Sequence, residues 1–122
     1  MKVLIVDDSA LMRDRLLKML NEKKLEISIL EASDVEQARG ILKTNLVELI
    51  ILDIKMKGEN GIELLREVKK TYPKIIVVMF TNYPYPQFSK KCWALGVDYF
   101  LEKSHDFEMI PGIIEKNLQK QF

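Results

Sequence analysis

Polar side chains that could do chemistry stand at the ends of four apolar runs. The runs and their polar residues are 2–6 with Asp7 and Asp8, 47–52 with Asp53, 75–80 with Thr81, and 97–101 with Lys103. A carboxylate can attack phosphorus and carry a covalent phosphoryl group. A hydroxyl and an ammonium beside it would stabilise the added negative charge. The residue types therefore indicate phosphoryl transfer to an aspartate.

Three carboxylates at one site also indicate a bound cation. At an effective dielectric near 20, two carboxylates 4 Å apart repel by about 4 kcal/mol, which a cation would relieve. Oxygen ligands of this kind suit a hard ion, Mg²⁺ or Mn²⁺, better than zinc or copper. The sequence therefore predicts a divalent metal held by Asp7, Asp8 and Asp53.

The elements that must position these residues repeat along the chain. Apolar runs at 2–6, 27–30, 47–52, 75–80 and 97–101 predict five strands. Helical spacing predicts five helices between and after them: 10–22, one from Ser33 or Asp34, one that follows a turn ending at Gly61 and is closed off by Pro73, 87–95, and one from about 107. Buried strands joined by helices pair in parallel, which predicts a doubly wound α/β sheet. The carboxyl ends of its strands meet at one edge, where ligands bind.

Composition narrows the functional classes. The chain has 122 residues, which suits one domain over 1–122, and its 19 basic residues nearly balance 18 acidic ones. This balance argues against direct binding of nucleic acid, which needs a concentrated positive field. No apolar run approaches the ~20 residues of a membrane span, so no membrane insertion is expected. A single cysteine and no secretory signal pattern favour a cytoplasmic location.

The polar residues at the strand ends, together with Met56 and with Gly61 eight residues after Asp53, resemble those of the response-regulator receiver family. The resemblance covers the whole chain. It implies a flavodoxin-like fold with strand order 2-1-3-4-5 and a stand-alone regulator of two-component signalling. It also implies that a histidine kinase or histidine phosphotransferase donates the phosphoryl group and that an unidentified downstream protein reads the result.

The resemblance assigns the metal ligands. Asp8 would ligate Mg²⁺ directly and Asp7 largely through water, while Asp53 would be both ligand and phosphoacceptor. The backbone carbonyl of Lys55 would be the remaining protein ligand.

The same resemblance assigns the switch. Thr81 and Lys103 would stabilise the phosphoryl group, and the aromatic ring of Phe100 would turn inward as the Thr81 hydroxyl moves onto it.

Several positions depart from the family pattern. Lys57 and Ser104 stand where the family often has proline, so a looser loop and a trans bond before Ser104 are expected, because a cis bond to a non-proline residue costs ~2.5–4 kcal/mol. Phe100 replaces a common tyrosine and cannot report the switch through a hydroxyl. Asn82 and Tyr83 are expected to restrict access to the phosphate or to hold water near it.

Four functions compete. The leading hypothesis is a signalling switch that catalyses only its own phosphorylation and dephosphorylation, with the segment from Tyr83 to Phe88 favoured as a contact surface. The alternative is a phosphorylation-independent interaction module of the same fold. A small hydrolase with an aspartyl nucleophile would need a further acid/base carboxylate and a cap. A flavin or nucleotide site would need an amide-rich loop after the first strand, where Asp7 and Asp8 would repel phosphate.

Overall fold

The computed structural model describes residues 1–56 and 58–119; Lys57, which was expected to loosen its loop, lies outside them. The strands of the main sheet, numbered in chain order, are β1 (Lys2–Val6), β2 (Ser28–Ala32), β3 (Leu49–Leu52), β4 (Ile76–Thr81) and β5 (Tyr99–Glu102). The helices are α1 (Ala10–Glu22), α2 (Val35–Thr44), α3 (Gly61–Thr71), α4 (Pro86–Ala94) and α5 (Ile110–Gln119), the last preceded by a 3₁₀ turn at Phe107–Met109. None of the helices described could cross a lipid bilayer.

The five main strands are parallel and lie in the order β2-β1-β3-β4-β5, which confirms the order that the family resemblance implies. The register is level at the carboxyl edge: Val6 pairs with Ala32 on one side and with Leu52 on the other. Leu52 in turn pairs with Met79. The residues that follow β1 and β3 therefore leave the sheet side by side.

The three central strands, β1, β3 and β4, are buried on both faces, as their nearly uninterrupted apolar sequences require. On one face, Leu4 and Val6 pack with residues of α2, α3 and α4. On the other, Val3 and Ile5 pack with residues of α1 and α5. Each fully buried Val, Leu or Ile contributes about 1.5–3 kcal/mol. The central strands are thus a rigid support for the residues at their ends.

Side chains in the loops at the carboxyl edge cap the first three helices. Ser9 Oγ accepts from the Met12 N–H of α1 at 3.1 Å, and Asp34 Oδ1 accepts from the Gln37 N–H of α2 at 2.7 Å. Asn60 Oδ1 accepts from the first turn of α3 at 2.8 Å. A cap of this kind contributes about 1 kcal/mol. Of the two residues predicted to start the second helix, Ser33 and Asp34, the structure selects Asp34 as the cap.

Four of the five strands differ from their predicted bounds by one or two residues, and the loop after Asp53 contains an element that was not predicted. The last strand begins at Tyr99 instead of residue 97, because the Val97 N–H donates to the Cys92 carbonyl at 3.1 Å and so closes the end of α4. Gly96, with φ of 94°, makes that turn. The loop after Asp53 forms a short hairpin, in which Lys55–Met56 pair with Glu59–Asn60.

An ion pair at the amino edge joins α3 to the sheet. Lys69 Nζ donates to Asp98 Oδ2 at 2.7 Å and to the Ile75 carbonyl at 2.8 Å. The same Asp98 oxygen accepts from the Val77 N–H at 2.8 Å. Asp98 therefore satisfies a lysine and a strand amide together.

Asp98→Ala is expected to lower the free energy of unfolding by about 2–3 kcal/mol, since a part-buried donor left without its acceptor costs about 1–3 kcal/mol. Lys69→Met should cost only about 1 kcal/mol, because the Val77 amide keeps its acceptor. Urea denaturation of both variants checks the order. Equal losses would mean that the lysine, rather than the amide, accounts for the effect.

Candidate functional site

The backbone ladder fixes the positions of Asp7 and Asp53. The Asp7 N–H donates to the Ala32 carbonyl at 3.1 Å, and the Asp53 N–H donates to the Val6 carbonyl at 3.0 Å. Both residues are buried, with 3% and 6% of their surface exposed. They extend the hydrogen-bonding of the sheet by one residue beyond β1 and β3, which places two buried carboxylates next to each other.

Asp8 completes a cluster of three carboxylates. One oxygen of each of Asp7, Asp8 and Asp53 lies within 4.8 Å of the others, and Asp8 is the exposed member. This cluster could hold a metal ion, and its oxygen-only donors suit Mg²⁺ or Mn²⁺. Lys55, whose backbone carbonyl was predicted as a further ligand, lies two residues beyond Asp53 in the first strand of the hairpin.

Lys103 bridges two of the carboxylates. Its Nζ lies 2.6 Å from Asp7 Oδ2 and 3.0 Å from Asp53 Oδ2, and its side chain is 5% exposed. Its own backbone N–H donates to the Thr81 carbonyl at 2.8 Å, which continues the pairing of β4 with β5. Burial alone would lower the pKa of Lys103, but the two carboxylates outweigh it and raise that pKa above its usual range. Lys103 is therefore a fixed positive charge.

The Asp53 carboxylate is only half satisfied. Burial raises the pKa of Asp53 above its ordinary value; Lys103 opposes this effect and Asp7 adds to it. Oδ2 contacts Lys103, whereas Oδ1 is buried without a hydrogen-bond partner among residues 1–56 and 58–119. An unsatisfied buried oxygen costs about 1–3 kcal/mol. An orphaned carboxylate oxygen inside an acidic cluster fits a divalent cation, which accepts such oxygens as ligands.

Thr81 and Phe100, the two predicted switch residues, lie on neighbouring strands. Thr81 ends β4 and is fully buried, and its Oγ1 accepts from the Tyr83 N–H at 2.9 Å. Phe100 is partly buried in β5, pairs in register with Met79, and packs against the cluster formed with α2, α3 and α4. The Thr81 hydroxyl thus contacts the loop that follows it.

Two side chains, Arg13 and Lys55, make contacts at the site that were not predicted from the sequence. Arg13 donates to the Asp7 carbonyl at 2.6 Å and pairs with Glu31 at 3.1 Å, so it holds the backbone of the acidic loop. Its place in the first turn of α1, just after two aspartates, was the available signal. The Lys55 ammonium lies 4.4 Å from the centre of the Tyr83 ring, a cation–π contact.

Three aromatic side chains line the start of α4. The centres of the Tyr83 and Tyr85 rings are 6.1 Å apart, and those of Tyr85 and Phe88 are 5.7 Å apart. Tyr85 is 47% exposed, and Trp93, further along α4, is 53% exposed. Exposed aromatics are enriched in the cores of protein interfaces.

Comparison with known proteins gives consistent results over this fold. The sequence model of the response regulator receiver domain family matches residues 3–115. The chain is 32% identical over 116 residues to the sensory transduction protein LytT of Bacillus subtilis (strain 168). This alignment covers 95% of this chain but only 47% of that protein. The chain therefore spans about half the length of that relative.

Two further similarities extend over most of this chain and most of the protein compared with it. Protein CcdB of Bacillus subtilis (strain 168) is 34% identical over 102 residues, which is 84% of each chain. A receiver domain protein (CheY-like) from Methanospirillum hungatei JF-1 superposes with a TM-score of 0.86 at 25% identity, covering 98% of this chain and 94% of that one.

The family match takes in every residue of the candidate site. It runs from Val3 in β1 to Glu115 in α5. The parallel sheet has the expected strand order, and its carboxyl edge carries the acidic cluster and Lys103. The chain belongs to the response regulator receiver domain family of two-component signalling.

Proposed function

We propose that this chain is a phosphoacceptor switch and that Asp53 receives the phosphoryl group from a phosphohistidine of a histidine kinase or histidine phosphotransferase. The observation that carries the proposal is the Asp53 carboxylate, buried beside Lys103 with its other oxygen unsatisfied. The large majority of buried side-chain oxygens in folded proteins are hydrogen-bonded, so an unpaired one in an acidic cluster points to a role beyond the fold. The chain would act in the cytoplasm on a downstream protein.

In the transfer step, an Asp53 oxygen forms a bond to phosphorus while the bond between phosphorus and the donor imidazole nitrogen breaks. The imidazole leaves with the bonding electron pair and keeps or takes up a proton. Lys103 already contacts Asp53 Oδ2 and would pair with a phosphoryl oxygen, and the Thr81 hydroxyl would leave Tyr83 to donate to another. The chain would catalyse only its own phosphorylation and dephosphorylation and would transform no metabolite.

Mg²⁺ or Mn²⁺ would be held by Asp7, Asp8, Asp53 and the Lys55 carbonyl. When bound, the ion supplies positive charge that neutralises the carboxylates and the incoming phosphoryl oxygens. Asp7 is also kept in place by the Ser9 N–H, which donates to its Oδ1 at 2.9 Å. The protein's own contribution is a cluster whose backbone is already fixed.

The added charge would be read at a distance. A phosphoryl group adds about −1.5 to −2 charges at pH 7 and would draw the Thr81 hydroxyl towards the carboxyl edge. The Thr81 side chain now anchors the loop that leads to α4, so its movement would free that loop. Phe100 could then turn inward, and the exposed aromatics of α4 would present a changed surface.

Incubation with a small phosphodonor and Mg²⁺, followed by intact mass measurement, tests this proposal. The native protein is expected to gain one phosphoryl group, and neither Asp53→Asn nor the native protein in EDTA should gain any. Because burial already disfavours the ionised form of Asp53, the neutral asparagine is expected to keep the fold. No gain by folded native protein would favour the phosphorylation-independent interaction module instead.

A further inference from the structure

The hairpin that carries Lys55 is a weak element by itself. Each of its strands has two residues, Lys55–Met56 and Glu59–Asn60, and an isolated two-stranded hairpin is marginally stable in water. Its base is fixed, because the Gly61 N–H donates to the Ile54 carbonyl at 2.6 Å. The part beyond the base needs support from side chains.

Arg39 of α2 supplies that support. Its Nη1 lies 3.4 Å from Glu59 Oε2 in the second strand of the hairpin. The other side of the guanidinium holds Glu67 of α3 in a bidentate pair, with Nε to Oε2 at 2.9 Å and Nη2 to Oε1 at 2.7 Å. Glu36, one turn earlier in α2, is a fourth member of this group.

The group formed by Arg39, Glu36, Glu59 and Glu67 connects two helices to the loop of the site. The bidentate pair with Glu67 fixes the plane of the guanidinium between α2 and α3, since paired N–H donors hold a carboxylate in one orientation. The Arg39 side chain is 28% exposed, against 42% for Glu59. Because two hydrogen bonds to Glu67 already hold the guanidinium, Arg39 is the better-anchored partner, and Glu59 of the hairpin is the group that it contacts.

We propose that Arg39 is a positioning residue for the metal site, acting through Glu59 to fix the hairpin that presents the Lys55 carbonyl. The inference rests on the proposed function, because it takes that carbonyl as a ligand of the divalent cation. Residues that orient ligands without touching the ion commonly change metal affinity by about 10–100-fold when they are replaced. Arg39 would contribute in this way from outside the acidic cluster.

Titration with Mn²⁺, in which electron paramagnetic resonance counts the free ion, measures the effect without any phosphorylation. Arg39→Met and Glu59→Gln are each expected to weaken Mn²⁺ binding about tenfold. The double variant should be no weaker than either single variant, because both changes break the same tether. Glu36→Gln is the matched control: it removes a carboxylate from the same guanidinium but not from the hairpin, and should bind as the native protein does.

The sign of the Arg39→Met effect separates the tether from simple electrostatics. Removing a positive charge near a cation site would tighten binding through space, whereas loss of the tether weakens it. Binding by Arg39→Met that equals or exceeds that of the native protein would overturn the proposal. Equal weakening by Glu59→Gln and Glu36→Gln would also overturn it, because charge alone would then explain both.

Failure of the proposed function would look different. The native protein would then gain no phosphoryl group in the mass measurement, or would bind no Mn²⁺ at all, whereas failure of the tether leaves both results intact and changes only the order of the variants. Circular dichroism in EDTA gives the folded fraction of each variant. If Arg39→Met is partly unfolded at the temperature of the titration, the comparison of Glu59→Gln with Glu36→Gln decides the question, because both are carboxylate-to-amide changes at exposed residues.

Discussion

Replacing Lys103 with methionine is expected to lower the free energy of unfolding in EDTA by about 3–5 kcal/mol, the usual cost of removing one partner of a buried ion pair. The Lys103 ammonium lies within 3.0 Å of both Asp7 and Asp53. Without it, two buried carboxylates would face each other with no cation between them. Methionine fills a similar volume, so the loss reports the charge and not a cavity.

Mg²⁺ should reverse much of this loss. A divalent cation in the acidic cluster would replace the missing positive charge, so the Lys103→Met variant should gain more stability from Mg²⁺ than the native protein does. Urea denaturation with and without Mg²⁺ measures both effects. Lys90→Met, at an exposed position of α4, serves as the control and should change stability by less than about 0.5 kcal/mol.

Two results would contradict this account of Lys103. A loss of less than about 1 kcal/mol in EDTA would mean that the carboxylates take up protons or water at little cost, in the manner of exposed pairs. Equal stabilisation of both proteins by Mg²⁺ would mean that the ion does not bind where Lys103 holds the carboxylates. Either outcome would mean that Lys103 does not stabilise the acidic cluster through its charge.

The sheet could be predicted because its signal is local. Mostly apolar runs between helical segments indicate strands, and an uninterrupted run such as that of β3, which ends where Asp53 interrupts it, indicates a strand buried on both faces. The order of the strands is not a local property, and it was available only from the resemblance to a family. The start of β5 was misplaced because Val97 is apolar like a strand residue but closes the end of α4.

The meeting of the site residues was predictable, whereas their contacts were not. Strand ends place Asp7, Asp53 and Lys103 at one edge, but the sequence does not show that Lys103 bridges both carboxylates. The hairpin after Asp53 has strands too short for any periodicity to reveal. The pairing of Arg39 with Glu59 joins residues 20 positions apart through tertiary packing alone.

Gly61 is the position where a single methyl group should do the most damage to the site. A Cβ placed on it would lie 1.9 Å from the Asp53 carbonyl oxygen and 2.9 Å from the carbonyl carbon. Both atoms are backbone, so no side-chain rotation can relieve the clash. Either α3 must move away from the sheet or the Asp53 peptide must turn, and the second change would redirect the carboxylate.

Gly61→Ala is therefore expected to lower the free energy of unfolding by about 1–3 kcal/mol, the usual cost of overpacking. It should also weaken Mn²⁺ binding at least tenfold, because a displacement of about 1 Å is enough to spoil a preorganised site. Gly40→Ala in α2 is the matched control, since its Cβ would have no neighbour within 4 Å. Alanine there should stabilise the helix by about 0.5–1 kcal/mol.

The two readouts together distinguish a role in the site from a role in the fold. If Gly61→Ala loses stability but binds Mn²⁺ as the native protein does, the strain has been absorbed by α3, and Gly61 serves packing alone. If metal binding falls while stability changes little, the Asp53 peptide has turned instead. The close approach of α3 to Asp53 would then be what orients the phosphoacceptor, and glycine at position 61 would be a requirement of the chemistry.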